Sequence, residues 1–315
     1  MTLNELRYVV AVARERHFGR AAKSCFVSQP TLSVAVKKLE EELGVVLFER
    51  GSTEVVPTPL GNQIVSQAQA VLESADRLKQ IAKGVDHLVE PLRIGVIFTI
   101  GPYLLPNLIP NLRDQAPEMA IIVEEGFTSD LTVRLKEGSL DAIIVSNPFD
   151  EPGVDTRLLY SEPFVVVTPI SHNLAKQEAI SVEELEDETV LLLGKGNCFR
   201  DQVLAACPVL QQQKNLDDLQ RTLESGSIET IRHMVASGVG VTVLPCTAAG
   251  AEEYSRRLLS VKRFADIQPS REVILAWRRG FPRLQAVDAV VEAVQSCPMS
   301  CVEMAECGNP AAFDS

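Results

Sequence analysis

Apolar residues recur at helical spacing through the first 82 positions and in short continuous runs after position 91. The chain therefore reads as two differently built parts. Leu6, Val9, Val10 and Ala13 fall at i, i+3, i+4 and i+7 and predict one helix. GRAAKSCF predicts a second, short helix in which Ala21 and Ala22 permit a close crossing. In SQPTLSVAVKKLEEELG, Ser28 is a good N-cap and Pro30 suits a first turn. Leu32, Val36 and Leu39 supply its buried stripe, and Gly44 ends it. Short helices joined by a turn of about three or four residues have the shape of a helix-turn-helix.

VVLFER and TEVVP flank Gly51-Ser52 and predict a β-hairpin, or wing. Thr58-Pro59 then opens a long helix as N-cap and first-turn proline. Leu60, Ile64, Val71, Ala75, Leu78 and Ala82 step along it, with a gap near Gln67-Ala68. About 26 residues at a rise of 1.5 Å make a rod of roughly 40 Å. Two ways of covering its stripe stay open: pairing with a second copy in coiled-coil fashion, or packing on its own chain.

From position 91, the runs LRIGVIF, MAIIVEE, AIIVS, FVVVT, VLLLG, GVTVLP and EVILAW alternate with helical stretches. That alternation predicts an α/β fold with a largely parallel sheet. Pro163 marks a crossing into a second subdomain, and EVILAW with LQAVDAVVEAV would return to the first. Ligands of such folds sit beyond the carboxyl ends of strands, where Thr99, Thr128, Ser146 and Asn197 fall.

Charge narrows the partners. The net charge is −12, yet residues 1–58 carry 8 Lys/Arg against 7 Asp/Glu, and the remainder 22 against 35. An acidic chain does not coat nucleic acid indiscriminately, so any DNA contact belongs to a local surface in the N-terminal part. No apolar run is long enough to span a bilayer, and MTLNELRYVV lacks a secretory layout, so a cytoplasmic protein without a membrane role is expected. Seven cysteines, at 25, 198, 207, 246, 297, 301 and 307, form no disulfide framework. Within GKGNCFRDQVLAAC, Cys198 and Cys207 stand nine positions apart. Buried thiols, a metal half-site, a nucleophile with a spare and a redox pair are all open readings of that spacing. Metal binding needs further ligands, and no histidine lies near.

ELRYVVAVARERHFGRAAKSCFVSQPTLSVAVKKLEEELGVVLFER and TPLG resemble the winged helix-turn-helix of LysR-type transcriptional regulators. The resemblance runs to about residue 295. TIGPYLLPNLIP, CFRDQ, the nine-residue cysteine spacing and SIETIRHMVASGVGVTVLP resemble the OxyR-type peroxide sensors of that family. The implied fold is α + α/β: a winged helix-turn-helix at 1–58, a linker and dimerisation helix at 59–88, and a periplasmic-binding-protein-like regulatory domain of two subdomains. Subdomain I would take 91–162 with 268–296 and subdomain II 163–267; 297–315, outside the resemblance, reads as a frayed tail with incidental thiols, with metal binding or thiol exchange by Cys297, Cys301 and Cys307 as the alternative.

The resemblance also implies roles. Gln29, Pro30, Thr31 and Ser33 would face the major groove, and Lys37 and Arg50 would meet phosphates. Ser28 serves as cap or phosphate contact. Lys37 also fits a merely solvated face. Cys198 and Cys207 would be the redox pair, supported by Thr99, Thr128, Asn197, Arg200, Asp201 and Arg271; for the threonines, strand-end capping is the plain alternative. A thiol at a helix start beside Arg200 would have its thiolate favoured. Sulfenic acid formed there would condense with the second thiol. Nine helical steps hold the Cα atoms roughly 13 Å apart, beyond the ~7 Å that a disulfide tolerates, so oxidation would remodel the segment. The family has a histidine where Asn197 stands here, which shifts activation onto the helix, Arg200 and backbone amides.

Implied partners are double-stranded DNA at promoter operators, a second copy through the linker helices, a homotetramer, RNA polymerase, and hydrogen peroxide as signal, with no cofactor and no metal. Rival readings are a LysR-type regulator of a small organic effector, and a thiol peroxidase. The peroxidase reading is disfavoured because a helix-turn-helix serves no turnover. Cys25 and Cys246 read as structural, and Arg232 and His233 as an interface or a solvated helix face.

Overall fold

The computed structural model describes residues 1–50, 55–83, 91–212, 222–250 and 255–305. The chain divides into two compact units. The first begins with α1 (Leu3–Glu15), where Thr2 and Glu5 form a reciprocal capping box. The short α2 (Phe18–Ser24) follows, with the His17 Nδ1 accepting from Gly19 N at 2.9 Å. Phe26, in the turn before α3 (Gln29–Leu43), has φ 57° and is 95% exposed. The expected stripe is in place: Leu32, Val36 and Leu39 join Leu6, Val9, Val12, Ala21 and Ala22 in one core. Burying these side chains stabilises the unit by roughly 1.5–3 kcal/mol for each large one. Glu5 also binds Lys38 at 3.2 Å, tying α1 to α3.

β1 (Phe48–Arg50) and β2 (Val55–Pro57) pair antiparallel, as the wing requires. The turn between them, with Gly51 and Ser52, and the Arg50 side chain lie outside the described residues. Thr58 caps the long α4 (Pro59–Lys83), its Oγ1 accepting from Gly61 N and donating to Val46 O, both at 2.9 Å. A Cβ on Gly61 would stand 2.1 Å from Leu47 O, so only glycine lets α4 approach the wing here. The expected stripe of α4 is split. Ala68, in its apparent gap, is buried with Ile64, Val65 and Leu72 against the first core, whereas Leu60, Val71 and Leu78 are exposed.

The second unit is a mixed sheet covered by helices. Its first half is built from β3 (Leu92–Ile97), α5 (Gly101–Gln115), β4 (Ile121–Gly126), α6 (Thr128–Lys136) and β5 (Ala142–Ser146). The 16-residue β6 (Val154–Pro169) leads onward to β7 (Ala179–Ile180), β8 (Val190–Leu193), α7 (Cys198–Ala206) and α8 (Val209–Gln212). β9 (Thr222–Ser225), α9 (Ile228–Ala236), β10 (Val241–Pro245), α10 (Cys246–Ala249), α11 (Ser255–Leu258) and β11 (Leu259–Phe264) complete that half. β12 (Ser270–Arg278), α12 (Leu284–Gln295) and β13 (Glu303–Met304) close the chain.

Strand order along the main path is β4-β3-β5-β12-β6-β10-β8-β9. β4, β3 and β5 run parallel, as do β10, β8 and β9, but β12 is antiparallel to both β5 and β6, and β10 and β11 are antiparallel to β6. The sheet is thus mixed rather than largely parallel: β7 and β11 and the two ends pair parallel, while every described pairing of β6 is antiparallel. Pro163 sits where β6 changes partners, from Ser270 of β12 to Pro245 of β10 at Phe164. A proline has no N–H to pair, so it suits that break.

Three other expectations are changed. Residues 297–305 are no frayed tail: Cys297 is buried, and β13 pairs with β6. Cys301 is not incidental: it forms a disulfide with Cys246, which is structural as expected, with Cα atoms 6.2 Å apart. Cys307 lies outside the described residues. Arg232 is buried rather than solvated and donates to both carboxylate oxygens of Glu229 at 2.9 Å; Glu229 also accepts from the Tyr103 hydroxyl at 2.6 Å.

Candidate functional site

Strand ends meet at Cys198. Ile97 at the end of β3 with Phe98 and Thr99 beyond it, Gly126 at the end of β4 with Phe127 beyond it, and Gly196 and Asn197 after β8 line a small cleft with Thr128 and Cys198. Its water-accessible space is about 10 Å³, of the order of a single small polar molecule. Gly196 turns the chain into α7 at φ 94°, a conformation side chains rarely adopt. Cys198 is the first residue of α7 and is partly exposed. The Thr128 hydroxyl, at the first residue of α6, lies 3.8 Å from its sulfur and can donate to it. The cleft thus borders the first turns of two helices, and helix N-termini favour negative charge.

Asn197 is buried, and its Nδ2 donates to Gly194 O at 3.1 Å, closing the loop ahead of α7. Thr99 is buried and is held from behind. Arg271 Nη1 donates to its hydroxyl at 2.8 Å and Nη2 to its carbonyl at 2.9 Å. Arg271 Nε in turn donates to Glu162 Oε1 at 2.7 Å, and Glu162 Oε2 accepts from Thr247 Oγ1 at 2.7 Å. The Arg271 guanidinium stacks 5.2 Å from the centre of the Phe199 ring, which meets Phe164 edge-on at 5.0 Å. A buried, paired and stacked guanidinium is a rigid support.

The other expected residues are placed differently. Arg200 does not line the cleft; it is buried, with Nη1 donating to Leu193 O at 2.6 Å. Asp201 is exposed on α7, also away from the cleft. Cys207 follows α7, fully buried among Leu191, Val203 and Leu210, and burial pushes its thiol up to about 11. The helix between the thiols is regular, so nine steps keep their Cα atoms roughly 13 Å apart. Gln202 Nε2, midway along α7, donates to Ser146 Oγ at 2.9 Å and Asn147 O at 2.6 Å, pinning the helix to the end of β5. Sequence reasoning missed Gln202, Glu162, Thr247 and the aromatic pair Phe98–Phe127, whose rings meet edge-on at 5.3 Å. Only Glu162 carried a signal, as a lone charge just before an apolar strand run.

In the first unit, Ser28 Oγ accepts from Thr31 N at 3.3 Å and sits 2.7 Å from Thr31 Oγ1. Gln29, Pro30, Thr31 and Lys37 are exposed on α3, and Ser33 is half-buried. Lys37 lies 3.7 Å from Glu41, an exposed pair worth little in stability. Lys38, by contrast, is spent on Glu5.

Residues 3–62 match the bacterial regulatory helix-turn-helix proteins of the lysR family, and residues 86–297 match the LysR substrate binding domain. The chain belongs to the LysR family of DNA-binding transcription regulators, and within it to the OxyR group. It is 36% identical over 297 residues to the DNA-binding transcriptional dual regulator OxyR of Escherichia coli, covering 94% of this chain and 95% of that protein. Full-length OxyR of Pseudomonas aeruginosa, a cysteine-to-aspartate variant, superposes with a TM-score of 0.77 at 49% identity, covering 95% of this chain and 96% of that one. A hydrogen-peroxide-bound cysteine-to-serine variant of Corynebacterium glutamicum OxyR gives 0.60 at 31% identity, covering 93% and 91%.

Proposed function

We propose that this protein is a peroxide-switched regulator of oxidative-stress genes, with Cys198 as sensor and Cys207 as the thiol that resolves it. One observation carries the reading most: a partly exposed cysteine opens α7 in a small cleft, with the Thr128 hydroxyl 3.8 Å from its sulfur. The relatives named hydrogen peroxide-inducible genes activator support it. The Cys198 thiolate attacks one peroxide oxygen, the O–O bond breaks, and the departing hydroxide takes a proton to become water. Cys207 then attacks the sulfenic sulfur, a disulfide forms and a second water leaves. Closing that bond requires the Cα atoms to come from roughly 13 Å to within about 7 Å. α7 must unwind, withdrawing Phe199 from Arg271 and Gln202 from Ser146.

The assembly follows from what the helices leave open. The exposed Leu60, Val71 and Leu78 suit pairing of α4 with a second copy, giving a homodimer that reads a two-part operator, and two such dimers a homotetramer. Gln29, Pro30, Thr31 and Ser33 face the groove, with Ser28, Lys37 and Arg50 on phosphates. RNA polymerase is the downstream partner, the cytoplasm the site of action, and no catalytic turnover is involved. In this reading residues 1–58 bind DNA, 59–88 dimerise, and 91–162 with 268–296 and 163–267 form the two regulatory subdomains. The relatives named for hydrogen peroxide favour this reading over an organic effector.

A low dose of hydrogen peroxide should form the Cys198–Cys207 disulfide, seen by thiol mass spectrometry, and alter the DNA footprint. Both thiols remaining reduced while the footprint changes would sink the reading.

A further inference from the structure

Among the described residues one pair of sulfurs is joined, and it is not the pair at the cleft. Cys246 and Cys301 are bonded across a sequence separation of 55, while Cys198 and Cys207 are free thiols. The bond fastens the last described segment to the sheet. Beyond Cys301, Glu303 and Met304 pair with Ser161 and Tyr160 of β6, and Ala305 N donates to Leu159 O at 3.1 Å. So short a pairing is marginal without a further anchor. On its other side, Cys246 precedes Thr247, whose hydroxyl binds Glu162, the residue after Ser161. Glu162 holds Arg271, and Arg271 holds Thr99 of the cleft. The disulfide therefore touches one short stretch of β6 twice, through β13 and through Thr247. Cys246 is buried and Cys301 is exposed, so a thiol from solution can reach the bond at Cys301.

We propose that Cys246–Cys301 is a second redox-active site, opened by a dithiol reductant and closed by hydroperoxide, which clips β13 onto β6 and tightens the support behind the cleft. In opening, a reductant thiolate attacks the Cys301 sulfur, and the S–S bond breaks with the electron pair leaving on Cys246. The reductant's second thiol then displaces Cys301 as a thiolate. The two sulfurs take up two protons, and the reductant departs as a disulfide. In closing, the Cys301 thiolate attacks a peroxide oxygen, water or an alcohol leaves, and Cys246 displaces water from the sulfenic sulfur. Exposed disulfides are the labile kind, whereas buried ones resist reduction. The clip itself stands apart from the sensor role of Cys198; its reach to the cleft rests on that role.

Full-length protein carrying Cys198→Ser and Cys207→Ser isolates the clip. Across dithiothreitol buffers of graded potential, alkylation should label Cys246 and Cys301 together, and amide exchange at 303–305 should rise at least about tenfold as they open. Hydrogen peroxide should restore the bond. Thiols that stay free after peroxide, or exchange at 303–305 that is equal in both states, overturn the clip. In an otherwise native chain, Cys301→Ser, with Cys301→Ala as a second variant, should change the Cys198 oxidation rate by between about two- and thirtyfold. An unchanged rate in chains whose Cys198 does oxidise overturns the reach to the cleft. Failure of Cys198 to oxidise in any chain counts against the sensor reading instead.

Discussion

Arg271 grips Thr99 twice, through the side-chain hydroxyl at 2.8 Å and the backbone carbonyl at 2.9 Å. The same guanidinium is ion-paired with Glu162, and neither side chain reaches solvent. The end of β3 at the cleft is thus set by a residue near the start of β12, 172 positions further on. Breaking a buried pair from one side leaves a charge without compensation, at about 3–5 kcal/mol. Glu162→Ala should therefore lower the thermal midpoint by more than Thr247→Val, which removes one hydrogen bond to a carboxylate, worth about 1.5–3 kcal/mol. Calorimetry on the two variants checks the order; equal losses would mean that the pair is not the support it resembles.

Thr128 offers a hydroxyl to the Cys198 sulfur. Thr128→Val keeps its shape and removes that donor. One hydrogen bond at the transition state corresponds to about tenfold in rate. Oxidation of Cys198 by peroxide should slow by about that factor in Thr128→Val and largely recover in Thr128→Ser. Stopped-flow thiol consumption measures both. A valine variant as fast as the native protein would leave Thr128 as a mere helix-start residue.

Burial raises the Cys207 thiol from its ordinary 9.0 to about 11. The folded state therefore holds a proton that the unfolded chain releases first. Stability linked to this group is intact below pH 9.0 and is lost as pH rises towards 11, by up to about 3 kcal/mol. Iodoacetamide labelling of Cys207 in the native protein should stay slow through neutrality and climb in that alkaline window. Labelling that already tracks an exposed thiol at pH 8 would contradict the packed position.

On α3, Gln29 and Lys37 should fail in different ways. Gln29→Ala should relax preference among operator sequences by about 1–3 kcal/mol at one base pair. Lys37→Ala should weaken all duplexes alike and reduce the salt slope by about one. Binding titrations at several salt concentrations on cognate and scrambled duplexes separate the two. A uniform loss from Gln29→Ala would move it to the phosphate class.

Much of this was legible because it is local. The caps at Ser28 and Thr58, the stripe Leu32-Val36-Leu39 and the apolar runs of β3, β5, β8 and β10 follow from spacing and capping chemistry within a few residues. The first half of β6 was missed because VDTRLLYSE has neither a long apolar run nor a strict alternation; its pairing with β12 makes it a strand. Arg200 was expected beside the thiol because it is two positions away; its buried guanidinium instead closes on Leu193 O. The split stripe of α4 was also invisible, since Ala68 is buried only by the core that α4 happens to meet.

By itself, the sequence determined the class of most elements, the helix-turn-helix with its polar first turn, and the helical spacing that keeps Cys198 from Cys207. These are short-range properties, set by backbone dihedrals, capping and the rise of a helix. Only the tertiary structure decided that Thr99, Thr128 and Cys198 share one cleft, that Arg271 and Glu162 stand behind it, and that Cys301 returns to Cys246. Each of those contacts joins positions far apart in the chain, and strand order and register alone bring them together.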